Sequence, residues 1–462
     1  MKYKPTIGLE VHAELKTKSK MFCGCENNPH SAKHNQLVCP VCTAQPGALP
    51  VPNKTAIQYV LLFGNAVGSK AAVYSEFDRK SYFYPDIPKA YQISQYEFPF
   101  LSGGELAGVD LTRVHLEEDT ARNQHGDGFS LVDFNRAGVP LMELVTEPVI
   151  HDAETAGKFA KELQLLLRTL KISDANMEKG EMRVEANISV SSSDELGVKV
   201  EVKNLNSFKS VEGAIAYEIE RQIAAIEAGE EINQETRGWD EVKNKTFTQR
   251  TKETAKDYRY FPDPDIPKIE TTKVAEFSLS RLNEITPELP NETRSVYKNL
   301  GLTSEVIEQA LSDSILNSIL KGIIKSIEKP SAQTFKLITN YLLTDVVPLI
   351  ADQADYDPAT FPTAQYLKMI QMIESKKINS RTAKNVLPLI ISEGIEVEAY
   401  AHENNLIQVQ DTAALESIVA KVIDGNPAVV SEYKAGKEAS IKFLVGQGMK
   451  LSKGTADPEM LL

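Results

Sequence analysis

The chain has 462 residues, with 51 Lys plus Arg against 64 Asp plus Glu, a formal net charge of −13, and 42% hydrophobic and 25% charged residues. That balance excludes wholesale disorder, fits roughly two to four globular domains, and argues against a general nucleic-acid coat while leaving a local basic surface open. No run approaches the ~18 apolar residues of a membrane-spanning helix, and MKYKPTIGLEVHAEL has acidic and polar residues where a signal peptide would be apolar, so a cytoplasmic protein with no membrane role is expected.

The first alternating segment is IGLEVHAEL, where Ile7, Leu9, Val11, Ala13 and Leu15 interleave with Gly8, Glu10, His12 and Glu14. Period two predicts a strand with one buried face, from whose other side Glu10 and His12 both project. A carboxylate and an imidazole so placed make half of a divalent-metal site, or an ordinary solvated face. All four cysteines follow: Cys23-x-Cys25, thirteen residues, then Cys39-Pro-Val-Cys42. Two knuckles of soft donors suit tetrahedral Zn²⁺ with no open position, which would staple the loop 22–43 without catalysing anything. Four free or redox-active thiols are the alternative.

Asp78-Arg-Lys-Ser-Tyr-Phe-Tyr-Pro85, with Lys89 beyond, sets Arg79 and Lys80 among aromatics, which suits phosphate contacts in a shielded pocket or an interfacial salt bridge. In LTRVHLEED, alternation puts Glu118 with Val114 and Leu116, apart from Glu117 and Asp119. A carboxylate on the apolar side either ends the strand or is held by a partner, for which a hard cation is the economical choice. Helical spacing covers Thr155–Leu170 and Val211–Ala228. Between them MRVEANISV turns Arg183, Glu185, Asn187 and Ser189 outward, and VKVEVKNL turns out Lys199, Glu201 and Lys203, as a site or as a soluble sheet surface.

Helices and strands thus interleave without a short βαβ repeat, predicting an antiparallel-rich α+β domain. The prolines of YFPDPDIP and TPELP place a boundary near residue 290. Residues 291–405 are helical by pattern, as in Ser304–Lys325 and Ala364–Glu374, with Pro348, Pro358, Pro362 and Pro388 as punctuation. Short helices fill 406–462; residues 411–462, with six Lys against seven acids, are the least acidic stretch. GxxxxGK[ST], GxSxG and HExxH are all absent, so nucleotide chemistry would need carboxylate-held Mg²⁺ over a sheet, with Lys and Arg neutralising phosphates.

The blocks IGLEVHAELKTKSKMFCGC, VCPVCTAQPGALPVPNK, FDRKSYFYPDIPKAYQISQ, RVHLEEDTAR, VDFNRAGVPLMELVTEP, MRVEANISV, EVKNLNSFKSV, QETRGWD, DYRYFPDPDIP and FLVGQGMKLSKG, in this order, resemble the B subunits of the glutamyl/aspartyl-tRNA amidotransferase family along essentially the whole length. The resemblance implies an α+β fold: a glutamine-synthetase-like antiparallel-sheet cradle over 1–290 with its zinc-stapled loop 22–43, an all-helical domain over 291–405, and a small helical tail over 406–462 for tRNA binding. It implies a two-step reaction on misacylated Glu-tRNA(Gln) or Asp-tRNA(Asn), in which ATP with Mg²⁺ phosphorylates the side-chain carboxylate and ammonia displaces phosphate. It implies a glutaminase A subunit as ammonia source and a small C subunit, together a heterotrimer.

Carried over motif by motif, the resemblance makes Glu10, His12, Glu118, Glu185 and Glu201 the catalytic, Mg²⁺-facing set, with Glu117 as the replacement for Glu118. Lys80, Arg183 and Lys203 would contact phosphates or the activated carboxylate, and Cys23, Cys25, Cys39 and Cys42 match the zinc-bearing branch. Val149, after Glu147-Pro148, departs from the acidic residue expected there, and the C-terminus is shorter than in many members. A free-standing glutamine-synthetase-like ligase would have no evident need of the C-terminal third, and a catalytically silent RNA scaffold would have no need of Glu10, His12, Glu185 and Glu201.

Overall fold

The structure, a computed structural model, describes residues 2–30, 33–251, 258–328, 330–351, 356–408, 412–452, 456 and 460–462. The chain divides into two compact units, 1–290 and 291–462.

The first unit begins with β1 (Lys4–Glu14), α1 (Lys54–Ala66), β2 (Lys70–Ala71), β3 (Tyr74–Ser75), β4 (Asp78–Ser81), β5 (Tyr91–Ser94), β6 (Leu101–Ser102), β7 (Glu105–Leu106) and β8 (Val109–Glu118). Next come β9 (Arg122–Gly126), β10 (Phe129–Asp133), β11 (Pro140–Thr146), α2 (Ala153–Thr169), β12 (Met182–Ser191), β13 (Val200–Leu205) and α3 (Phe208–Ala228). It closes with β14 (Glu235–Asp240), β15 (Lys245–Thr251), β16 (Phe261–Pro262), β17 (Ile269–Glu270) and α4 (Leu279–Ile285).

A large sheet runs in the order β15-β14-β13-β12-β1-β11-β8-β6-β2. Its centre, β12-β1-β11-β8, is antiparallel, but β13 and β14 run parallel. The sheet is therefore mixed: α3 intervenes between those two strands as a crossover helix, the connection that parallel neighbours require. The alternation read in IGLEVHAEL places Ile7, Leu9, Val11, Ala13 and Leu15 at 0–1% exposure. That apolar face packs into one core with Val60 and Phe63 of α1, Phe159, Leu163 and Leu167 of α2, and Val211 and Ile215 of α3. Each such side chain contributes about 1.5–3 kcal/mol when fully buried, so helices occupy one face and the polar row of β1 is left to the other. The helix starts are set locally: Asp152 accepts from the Thr155 N–H at 2.7 Å and Ser207 from the Ser210 N–H at 3.0 Å.

The second unit comprises α5 (Pro290–Asn299), α6 (Ser304–Ser312), α7 (Ser314–Ser326), α8 (Ala332–Tyr341), α9 (Val347–Ala351), α10 (Thr363–Glu374), α11 (Ser380–Glu393), α12 (Val397–Glu403), α13 (Thr412–Gly425), α14 (Pro427–Lys434) and α15 (Ala439–Leu451). The single helix expected over Ser304–Lys325 is two, because Asp313 leaves the helical backbone and its carboxylate accepts from the N–H groups of Ile315 and Leu316, both at 3.0 Å. Pro388 does not punctuate: it lies inside α11, which the buried Ala383, Val386, Leu387 and Ile390 hold in place. Among the described residues no helix is long and apolar enough to cross a membrane.

Candidate active site

The polar face of the central sheet gathers acids from five strands. His12 stands opposite Glu143 of β11 and Arg183 of β12, and Glu10 opposite Glu185. Glu143 stands opposite His115 of β8, and Asn187 opposite Glu201 of β13. Because each strand alternates with period two, one row per strand is enough to bring these groups to a common surface. Three overlapping triads result, each with donor atoms within 4.8 Å of one another: Glu10, His12 and Glu143; His115, Glu117 and Glu143; Glu10, Glu185 and Glu201. His12 Nε2 lies 3.9 Å from Glu10, 3.5 Å from Glu117 and 3.3 Å from Glu143. His115 Nε2 lies 3.3 Å from Glu143.

The electrostatics mark a site short of positive charge. Burial, then the neighbouring carboxylates Glu143 and Glu185, push the Glu10 carboxyl up to about 7. Burial opposes the charged forms of both His12 and Glu143, yet each is overridden by the other side. The bond and charge of Glu143, with Glu117 and Glu10 behind it, raise His12 to about 9. His115 and then His12 hold Glu143 well below the usual carboxylate range. The Glu10, Glu185 and Glu201 group is all carboxylate, the hard donor set that Mg²⁺ prefers, and the buried Oδ1 of Asn187 is without a partner among the described residues. The imidazoles of the other two triads are softer donors, which a borderline divalent ion would also accept.

Of the expected metal-facing residues, the structure brings together Glu10, His12, Glu185 and Glu201 and leaves Glu118 apart. Glu118 points to the opposite side of β8, where Lys89 Nζ lies 2.6 Å from its Oε1 and the Ile93 N–H donates to it at 3.0 Å. The partner that holds this carboxylate on the apolar side is thus an ammonium. Lys89 and Glu118 line a cavity of about 230 Å³ that also touches Phe22, Cys23, Cys42 and Tyr91. Glu117 stands in the cluster instead, with Ser94 Oγ donating to it at 3.1 Å.

The expected cations divide similarly. Lys203 Nζ donates to Glu185 at 2.6 Å and lies 3.8 Å from Glu201. Arg183 donates to Asp119 at 2.8 Å, one step along the same face. Burial works against the charge on Lys80, but Glu117, Tyr260, Glu143 and Tyr82 together outweigh it and its pKa is raised. Arg79, its neighbour, makes the structural ion pair, to Asp263 at 2.8 Å and Asp265 at 2.9 Å.

The four cysteine sulfurs form a separate cluster, also within 4.8 Å of one another. Cys39 and Cys42 are 3.9 Å apart, close to the ~3.8 Å edge of a tetrahedron with 2.3 Å zinc–sulfur bonds. The Cys39 N–H donates to Cys42 Sγ at 3.2 Å. A hydrogen bond from Cys23, then that backbone N–H and Lys20, lower the Cys42 thiol to about 4 against the cost of burial, whereas burial first raises Cys25 to about 11. Lys20, fully buried, donates to the Leu37 carbonyl at 2.7 Å and the Phe134 carbonyl at 3.2 Å, and lies 3.7 Å from Cys42 Sγ. The donor set and spacing fit a structural zinc ion.

Residues 5–275 match the family described as the GatB/GatE catalytic domain, and residues 323–462 match the GatB domain. The B subunit of the aspartyl/glutamyl-tRNA(Asn/Gln) amidotransferase of Thermomicrobium roseum is 42% identical over 479 residues, spanning 99% of this chain and 97% of its own. Those of Thermodesulfovibrio yellowstonii and Thermus thermophilus are each 41% identical, spanning 100% and 99% of this chain and 98% and 97% of their own. The chain belongs to this amidotransferase family, as a B subunit.

Two members of this candidate site escape the sequence reading: Glu143 and His115. Glu143 is a lone acid inside the otherwise apolar PLMELV, and His115 sits in VHLE with the same parity as Glu117. A charged residue in a run that reads as fully buried is the available signal.

Proposed function

We propose that this chain is the ATP-dependent component of a glutamine-hydrolysing aminoacyl-tRNA amidotransferase, a carbon–nitrogen ligase that converts Glu-tRNA(Gln), Asp-tRNA(Asn) or both into the cognate amide. The observation that carries the reading is the face shared by Glu10, His12, His115, Glu117, Glu143, Glu185 and Glu201, on a chain of this family. A side-chain carboxylate is a poor acyl donor. Its oxygen attacks the γ-phosphorus of ATP, ADP departs, and ammonia then attacks the acyl carbon while phosphate leaves and a proton is lost.

In that chemistry Lys80, Arg183 and Lys203 neutralise phosphate and carboxylate oxygens at the rim, and the buried sheet face limits water around the activated acyl group. Glu10, Glu185 and Glu201, with Asn187 beside them, would hold one Mg²⁺, and Glu10, His12 and Glu143 or Glu117 a second. Mg²⁺ bound there would supply the positive charge that the triphosphate requires. Glu118 belongs to the Lys89 cavity in this reading and not to the ion site.

The fold and partners follow from the same family. Residues 1–290 act as a glutamine-synthetase-like cradle with the zinc-stapled loop 22–43, 291–405 as the helical domain, and 406–462 as the tail that holds the tRNA body. The exposed Lys421, Lys434, Lys442 and Lys450 on α13–α15 support the last assignment. A glutaminase A subunit and a small C subunit complete a cytoplasmic heterotrimer. The test is a reconstituted complex supplied with each misacylated tRNA, ATP and glutamine: Glu10→Gln and Glu185→Gln should abolish ATP-dependent amidation while glutamine hydrolysis by the partner persists. Full amidation by both variants would refute the assignment.

A further inference from the structure

Beside the carboxylate face stands a run of tyrosines to which the ion chemistry gives no role. Tyr84 meets Tyr82 with ring centroids 6.2 Å apart, Tyr82 meets Tyr258 at 5.8 Å, Tyr258 meets Tyr260 at 6.3 Å, and Tyr260 stacks on Tyr96 at 4.5 Å and 16°. Lys80 Nζ lies 5.0 Å from the centre of Tyr258 and 5.8 Å from that of Tyr82, so the ammonium that faces Glu117 sits against the middle of the run. Its two ends reach solvent, with Tyr84 55% and Tyr96 53% exposed and Phe83 beside them 83% exposed.

The run is held from behind. Strand β16 pairs with β4 so that Phe261 lies opposite Arg79, which brings Tyr260 alongside Lys80. Arg79, bound to Asp263 and Asp265 and 4.5 Å from the centre of Tyr91, fixes that strand. The Tyr96 N–H donates to Asp78 at 2.9 Å. Aromatic rings beside a cation, the outer two exposed and the inner three half-buried on a rigid support, are the elements of a surface for stacking nucleobases without sequence readout.

We propose that Tyr82, Tyr258, Tyr260 and Tyr96 stack the 3′-terminal nucleosides of the aminoacyl-tRNA, with the last adenosine nearest Lys80; the proposal rests on the amidotransferase reading above. The number of rings favours the acceptor end over ATP. Five rings in a row offer more stacking faces than the one base of ATP can cover, whereas the single-stranded 3′ end supplies successive bases. Four or five bonds, about 5–6 Å, separate the terminal ribose ester oxygen from the side-chain carboxyl carbon of an aspartyl or glutamyl ester, so a terminal nucleoside held beside Lys80 brings that carboxyl to the carboxylate face.

The test uses the assembled complex with Tyr258→Leu and Tyr96→Leu, each paired with its Phe counterpart, and reads KM and kcat for misacylated tRNA and KM for ATP. Tyr258→Leu and Tyr96→Leu should raise the KM for tRNA about tenfold, leave that for ATP unchanged, and be rescued by Phe, which keeps the ring. Tyr96 is exposed, so its variants report even where Tyr258→Leu fails to fold. An unchanged KM for tRNA, a Phe variant as poor as Leu, or a rise confined to the KM for ATP would each overturn the proposal. Failure of the amidotransferase reading is distinct: the unmodified complex would then not amidate tRNA at all.

Discussion

The Glu10 carboxyl combines burial with two carboxylate neighbours and binds its proton up to about pH 7. Because this folded value lies above the ordinary 4.5, the ion-free protein keeps a proton that the unfolded chain has lost between those values, and it loses stability as pH rises through that window. Divalent-ion binding to Glu10, Glu185 and Glu201 must expel the proton, so affinity at that all-carboxylate group, measured calorimetrically, should climb from pH 5 to about 7, while a group that uses His12, protonated up to about 9, goes on gaining above it; Glu10→Gln should abolish the lower climb. Glu143 joins two triads, so Glu143→Gln should reduce amidation at least about 100-fold with an unchanged circular-dichroism spectrum. Breaking the buried Lys89–Glu118 pair by Lys89→Met should cost about 3–5 kcal/mol of stability, read by urea denaturation. Much of this site is legible in the sequence, because Glu10, His12, Glu185 and Glu201 each fall on the polar row of a visible alternation. Resemblance points Glu118 toward the ions although its parity puts it on the other face, and parity is the better guide. Glu143 is hidden because a nearly continuous apolar run offers no alternation to interrupt.

Among the elements, strands with one wet face and helices with strong caps are readable, while their connections are not. The single helix expected over Ser304–Lys325 splits because a capping carboxylate competes with the helical backbone. Asp313→Ala removes the acceptor for two N–H groups and should destabilise α7 by about 1 kcal/mol, seen as faster amide exchange over residues 314–317 with the rest of the unit unaltered. The parallel pairing of β13 with β14 cannot be read from either strand. It is fixed by the intervening α3, whose buried Glu218 accepts from Arg221 at 2.6 Å and from Thr246 of β15 at 3.0 Å and so ties the crossover to the sheet edge.

For the whole molecule, the chain separates into two compact units, 1–290 and 291–462, and the prolines of YFPDPDIP and TPELP lie just before that division. The sulfur cluster lies in the first of these units, so metal chelation should lower the melting temperature of that unit and leave the helical unit's transition in place, as scanning calorimetry would resolve. Lys20 gives this cluster a longer reach. Its ammonium ties Cys42 to the Phe134 carbonyl, and Phe134 begins the turn that feeds the strand bearing Glu143. Oxidative damage to the thiolates would loosen that anchor and travel along the turn into the carboxylate row, so amide synthesis would fall under peroxide stress although no sulfur takes part in it.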